Sequence, residues 1–209
     1  MKQIYYLSFL LLAILWPSTA FAYDFEIDGI YYNVNGNQAT VTYKTTHYKS
    51  YSGNVIIPET INYSGTDYYV TSIGESAFRK SSGLSSVIIP NSITSIGNYA
   101  FEECTGLISI EIPNSVTSIS NYAFYGCTNL KDIIIGNAVT SINDYAFYKC
   151  QSITNLVIPN SVTTIGNGAF SNCSGIVCLE IPNSVTSIGN SAFNSCNALQ
   201  SVVIGKSVN

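Results

Sequence analysis

Six cysteines and one histidine are the most reactive side chains of this 209-residue chain. Cys104, Cys127, Cys150, Cys173 and Cys196 recur at a strict interval of 23 residues. A zinc or redox site calls for closely spaced thiols, and there is no C-x-x-C pair. The interval is that of a structural repeat, and the bland reading of these five is a column of small buried hydrophobes. Disulfides between neighbouring rungs would need a particular Cβ approach, and an odd number cannot all pair. Cys178 is out of step: it aligns with Ser109, Asp132, Asn155 and Ser201. It is either an exposed thiol suited to intermolecular linkage or a half-covered small residue. His47 stands alone, whereas a hydrolase needs a nucleophile, a base and a group that orients the base. Glu111 and Glu180 fall in one register three repeats apart, ~14 Å at the spacing of parallel strands. Two-carboxylate glycoside chemistry needs ~5–10 Å. No Asp cluster suggests calcium. No residue is assigned a catalytic, cofactor-binding or metal-binding role, and a non-enzymatic protein is expected.

The elements that position these groups follow from the repeat. Ala-Phe pairs end at Phe78, Phe101, Phe124, Phe147, Phe170 and Phe193, each step 23 residues, and Ile73, Ile96, Ile119, Ile142, Ile165 and Ile188 keep the same step. One unit begins with the strand-like run Leu107 to Ile112, whose alternation turns Leu107, Ile110 and Ile112 inward and Ser109 and Glu111 outward. Pro113 lacks an amide donor and ends that strand. Val116 and Ile119 make a second inward pair on the opposite wall. Gly97, Gly166 and Gly189 follow the isoleucine and suggest a turn with positive φ, where Asn143 fits and Ser120 fits less well. One turn of helix or 3₁₀ is expected around Ala-Phe. No unit can bury its apolar face alone, so the coils must stack.

The pattern L-x-x-I-x-I-P-x-x-V-x-x-I-G-x-x-A-F-x-x-C resembles the BspA-like leucine-rich repeat family. The likeness runs over about Val70 to Val208 and extends to Asp28-Gly-Ile-Tyr-Tyr32, Ile57-Pro58 and Tyr69-Val-Thr-Ser-Ile-Gly74. The resemblance implies a β-rich α/β solenoid: a leucine-rich-repeat stack of 23-residue coils with parallel strands on the concave face. It also implies bacterial or protist cell-surface or secreted proteins, with adhesion to host matrix or plasma proteins among their roles. The family offers no catalytic residues to carry over. Asp28-Gly29, Asn35-Gly36 and Ser64–Asp67 read as hairpin turns. Residues 23–69 are accordingly expected to form an N-terminal β-hairpin cap, and residues 70–209 the solenoid, with an incomplete last repeat. The stop just after Ile204 and Val208 suggests either a truncated chain, the favoured reading, or a last coil that pairs with another molecule.

Met1-Lys2-Gln3, an apolar run from Ile4 to Trp16 and Ala20-Phe21-Ala22 have the order of a signal peptide (residues 1–22), cleaved before Tyr23. The run is short for a bilayer, so no transmembrane segment is expected, and secretion or cell-surface display is. Only 10% of residues are charged, the net charge is −4, and 46% are hydrophobic. Nucleic acid needs clustered Lys and Arg, so it is excluded as a partner. The outward column Ile88, Glu111, Ile134, Val157, Glu180 and Val203 is mostly apolar, beside Ile108, Lys131, Thr154 and Val177. An exposed apolar stripe often marks a partner site. The expected protein-binding face is Ile88, Glu111, Lys131, Ile134, Asn155, Val157, Cys178, Glu180 and Val203. Tyr99, Tyr122 and Tyr145 on the other wall either cover the coil or offer a glycan an aromatic stripe.

Overall fold

A computed structural model describes residues 22–45 and 47–208. The expected signal peptide lies, but for Ala22, outside the described residues. The N-terminal strands are β1 (Phe25–Ile27), β2 (Ile30–Asn35) and β3 (Gln38–Thr42). They are followed by β4 (Ser52–Ile56), β5 (Thr60–Tyr63), β6 (Thr66–Ile73) and β7 (Gly83–Ile88). Short strands then alternate between two walls: β8 (Ser95–Ile96), β9 (Ser109–Ile112), β10 (Ser118–Ile119), β11 (Asp132–Ile135) and β12 (Ser141–Ile142). The last are β13 (Thr164–Ile165), β14 (Cys178–Ile181), β15 (Ser187–Ile188) and β16 (Ser201–Ile204).

The repeat step is also the pairing register. Ile73, Ile96, Ile119, Ile142, Ile165 and Ile188 are successive parallel partners across β6, β8, β10, β12, β13 and β15. This wall joins the antiparallel run β1-β2-β3 through the parallel pair β3–β6, with β5 on the flank of β6, in a 10-stranded sheet. Three tight hairpins serve this region, at Asp28-Gly29, at Gly36-Asn37 and at Ser64-Gly65. Asp28, Gly29, Gly36, Ser64 and Gly65 hold the positive φ that such turns demand.

The opposite wall carries the longer strands but is less continuous. β4 pairs with β7, β9 with β11 and β14 with β16, all parallel, and a single bridge joins Asn155 to Cys178. Pairing extends the wall back to Ser52: Ile56 sits beside Ile88.

Two expectations are corrected. The α element of the α/β assignment is absent, because no helix of any kind occurs among the described residues. The Ala-Phe segment is a run of turns in which alternate amides point to different coils. Ala100, Glu102 and Cys104 donate to Gly97, Tyr99 and Phe101, closing turns. Tyr99, Phe101 and Glu103 donate instead to Asn121, Ala123 and Tyr125 of the next coil. A helix would need every amide for its own chain. Left-handed residues at Tyr99 (φ 57°) and Glu103 (φ 55°), repeated at Tyr122, Tyr145 and Lys149, interrupt any helical run.

The second correction concerns Gly97, Gly166 and Gly189, which are not at positive φ, nor are Ser120 and Asn143. At the glycines the backbone of the coil below comes close instead. A Cβ on Gly97 would lie 2.6 Å from the Glu75 amide nitrogen, and one on Gly189 2.4 Å from that of Asn167. Where Ser120 stands in this place, its hydroxyl donates to the Ile96 carbonyl of the coil below at 2.6 Å.

The core is the set of columns between the walls. Phe78, Phe101, Phe124, Phe147, Phe170 and Phe193 stack at centroid separations of 4.8, 5.0, 5.1, 5.3 and 5.4 Å with planes within 8°. Tyr51 lies tilted against the first of them at 4.4 Å. Phe78 to Phe170 are fully buried. Each ring is shielded by its neighbours, as stacking of incomplete units requires.

Candidate functional site: the strand wall and its apolar column

On the strand wall, alternation separates core from surface. Ile110, Ile112, Ile133 and Ile135 are buried, while Glu111 and Ile134 between them are exposed. The exposed apolar residues of the outward column are Ile56 (65%), Ile88 (58%), Ile134 (60%), Val157 (72%) and Val203 (62%). Ile108 is exposed beside it, and in β16 alternation fails, with Val202 and Ile204 exposed as well. Pairing sets Ile134 beside Glu111 and Val203 beside Glu180, so the two carboxylates stand within the same column. The stripe is apolar at two rungs, acidic at one, apolar at two, acidic at one and apolar at the last.

Three shallow grooves run along this column. The first, of about 490 Å³, holds Ile88, Glu111 and Ile134 with Glu59 and Asp132. The second, of about 480 Å³, holds Glu111, Ile134 and Val157. The third, of about 720 Å³, holds Asn155, Val157, Cys178, Glu180 and Val203. Eight of the nine residues expected to form the binding face are thereby brought together. Lys131 is the exception: it is exposed beside the column and lines none of these grooves. Glu59, Glu111, Asp132 and Glu180 contribute four carboxylates to the linings, and no Lys, Arg or His lines them.

Ile56 was missed from the sequence. The segment from Pro58 to Ser72 inserts the β5–β6 hairpin, so Ile56 stands 32 rather than 23 residues before its partner Ile88. The signal was the recurrence of Ile-Ile-Pro at Ile56 to Pro58 and Ile88 to Pro90.

The cysteines divide as their spacing suggested. Cys178 is exposed, and the other five are buried and unbridged. Their role goes beyond filling space. The Sγ of Cys104 donates to the Phe78 carbonyl at 2.9 Å, and Cys127, Cys150, Cys173 and Cys196 repeat the bond on the carbonyls of Phe101, Phe124, Phe147 and Phe170. Each carbonyl from Phe78 to Phe170 already accepts the amide three residues on, so the thiol uses its second lone pair. Burial pushes the Cys127 thiol up to about 12 and the other four upward as well. These are unreactive positions. His47 is exposed at a turn. Among the described residues no three His, Cys, Asp or Glu side chains gather as a metal site, and no helix is long and apolar enough to cross a membrane.

The tyrosine wall is organised differently. Tyr99, Tyr122 and Tyr145 stack face to face at 4.9 and 5.1 Å, with a second row, Tyr125 on Tyr148, at 4.9 Å. The outer face of Tyr99 meets the Arg79 guanidinium at 5.4 Å. Tyr145 covers Gly168, where a Cβ would come within 2.5 Å of the ring. The first row is half-buried, and its ring faces are consumed by one another, by Arg79 and by Gly168.

The profile of the BspA type leucine rich repeat region matches residues 48–175 and 117–209, in six copies. No curated protein sequence matches the chain. A leucine-rich repeat protein from Bacteroides ovatus is similar, with 29% identity and a TM-score of 0.70 over 89% of this chain. This chain spans 54% of that protein. The leucine-rich repeat protein of T. pallidum matches with 26% identity and a TM-score of 0.57, covering 86% of this chain and 70% of the other. The pneumococcal vaccine antigen PcpA shares the fold, at 16% identity and a TM-score of 0.52 over 88% of this chain and 71% of its own. With the 23-residue columns above, these matches lead to one conclusion: the chain belongs to the BspA-type leucine-rich repeat family.

Proposed function

We propose that this chain is an exported, non-catalytic surface module that binds a protein partner through its strand wall. The observation that carries the reading is the column of Ile56, Ile88, Ile134, Val157 and Val203, each more than half exposed, in a stripe interrupted only by Glu111 and Glu180. Large apolar side chains in a row are costly to leave in water, at about 25 cal/mol per Å². A partner that covers them recovers that free energy, and the rigid stack pays little ordering entropy on binding. Family membership and the signal-peptide pattern of the leader support a place outside the cell, where host matrix and plasma proteins are the candidate partners. Residues 23–69, whose Tyr51 closes the first end of the phenylalanine column, act in this reading as its cap. Cys178, exposed within the face, is free to link to a second molecule.

The glycan alternative loses ground to geometry. Sugars bind aromatic side chains through open ring faces, and the faces of the first tyrosine row are covered.

The test is the double substitution Ile134→Lys with Val157→Lys, assayed by capture on immobilised matrix proteins, plasma proteins and glycans. Both positions are exposed, so thermal unfolding should be unchanged. Loss of capture on a protein surface is expected; capture that persists in the variant rejects the strand wall as the binding face.

A further inference from the structure

The strand wall also carries information about what lies on it, and this inference rests on the reading just given. We infer that the occupant is a cationic amphipathic α-helix lying along the column, parallel to the solenoid axis and across the strands. Charge is the first ground. Four carboxylates line the grooves along the column and no basic side chain does. Two of them, Glu111 and Glu180, stand in the column itself and bracket Ile134 and Val157. An apolar partner without positive charge would bury both carboxylates unpaired, which is costly.

Pitch is the second ground. Paired parallel strands lie ~4.8 Å apart, as at Glu111 with Ile134 and at the bridge of Asn155 with Cys178. Carried across the unpaired step from Ile134 to Val157, that spacing puts Glu111, Ile134, Val157 and Glu180 at about 0, 4.8, 9.6 and 14.4 Å. Helix positions i, i+3, i+7 and i+10 lie on one face at about 0, 4.5, 10.5 and 15 Å. The two series agree within about 1 Å. An extended segment repeats its side chains on one face every ~6.7 Å, falls about 3.8 Å out of register at its third contact and more than a full rung at its fourth. The wall therefore selects basic side chains at i and i+10 and apolar ones at i+3 and i+7. The whole column, from Ile56 to Val203, takes up seven rungs, or ~29 Å, the length of a helix of about 20 residues.

The test uses the full chain and three labelled synthetic peptides followed by fluorescence anisotropy. One is a helix with lysine at i and i+10 and leucine at i+3 and i+7. The second has the same composition with the lysines moved to the opposite helix face. The third is an extended peptide of alternating lysine and valine. The first peptide is expected to bind at least about ten-fold more tightly than the others, and less tightly as salt is raised. Glu111→Lys with Glu180→Lys should weaken it by about ten-fold or more, and a peptide with glutamate at i and i+10 should regain affinity for that variant. Equal affinities, absence of binding, or indifference to charge reversal while Ile134→Lys with Val157→Lys still abolishes binding overturns the helical cationic occupant. In the last case the strand wall stands as the binding face. Binding of the first peptide that ignores Ile134→Lys with Val157→Lys overturns both readings.

Discussion

At the scale of single residues, the cysteine column shows how a weak group becomes structural by position. The thiols lie in a dry column, and each completes the hydrogen bonding of a phenylalanine carbonyl in the coil below. Burial penalises the thiolate, so Cys127 moves from the usual 9.0 to about 12. The sign follows from linkage. Below the unfolded-state value both states are protonated, and the contribution to stability is complete. Above it the unfolded chain ionises while the folded one does not, and stability falls until the folded value is reached. Alkaline unfolding is therefore expected to steepen from pH 9 upward, by ~1.4 kcal/mol per pH unit for such a thiol. Cys127→Ser keeps a donor and should lower the slope of that part of the profile by the share of one thiol, the other four buried thiols keeping theirs, in denaturant titrations at pH 8 to 11. In thiol labelling of the native chain followed by mass measurement, Cys178 should react and the other five should not. Reaction of two or more cysteines in the native state would contradict the assignment. The periodic cysteines and the stray one were legible from spacing alone. Their bonds to carbonyls were not, because the partner lies 26 residues away on another coil.

At the scale of elements, the inward columns were legible and the local conformations were not. A fixed interval with apolar residues at fixed places leaves stacking as the way to bury them, so the columns of Phe124, Ile119 and Val116 follow from the pattern. The Ala-Phe segment was harder. A 3₁₀ turn and a tandem turn share the local i to i−3 bonds, and what separates them is that alternate amides reach the next coil. That choice is tertiary and leaves no trace in one repeat. Gly97 and Gly189 were read as turn residues, yet neither is at positive φ, and what the sequence did not show is how closely the backbone of the coil below approaches them. The hairpin signals at Asp28-Gly29 and Ser64-Gly65 were local and therefore readable, but the displacement of Ile56 by the inserted hairpin hid one rung of the wall. Phe124→Ala removes the middle of a stack with Phe101 and Phe147 on either side, both about 5 Å away. Its cost should be about 3–5 kcal/mol in denaturant unfolding, since neither neighbour can collapse without leaving its own coil. A loss under about 1 kcal/mol would mean that the column is not the core.

At the scale of the whole molecule, two long surfaces compete for the binding role, and their organisation differs. The first tyrosine row spends its aromatic faces on itself, on Arg79 and on Gly168. The outward column of the strand wall leaves five large apolar side chains uncovered among four carboxylates. Tyr122→Ser with Tyr145→Ser should accordingly lower stability by about 1–3 kcal/mol through lost stacking and leave partner capture unchanged. The claim on which the function rests is that a partner covers the strand wall. Hydroxyl-radical footprinting of the chain, free and bound to whichever matrix or plasma protein captures it, measures that side chain by side chain. The account predicts that oxidation of Ile88, Ile134, Val157 and Cys178 falls on binding while that of Tyr99, Tyr122 and Tyr145 does not change. Protection of the tyrosines with the strand wall still oxidised would contradict it.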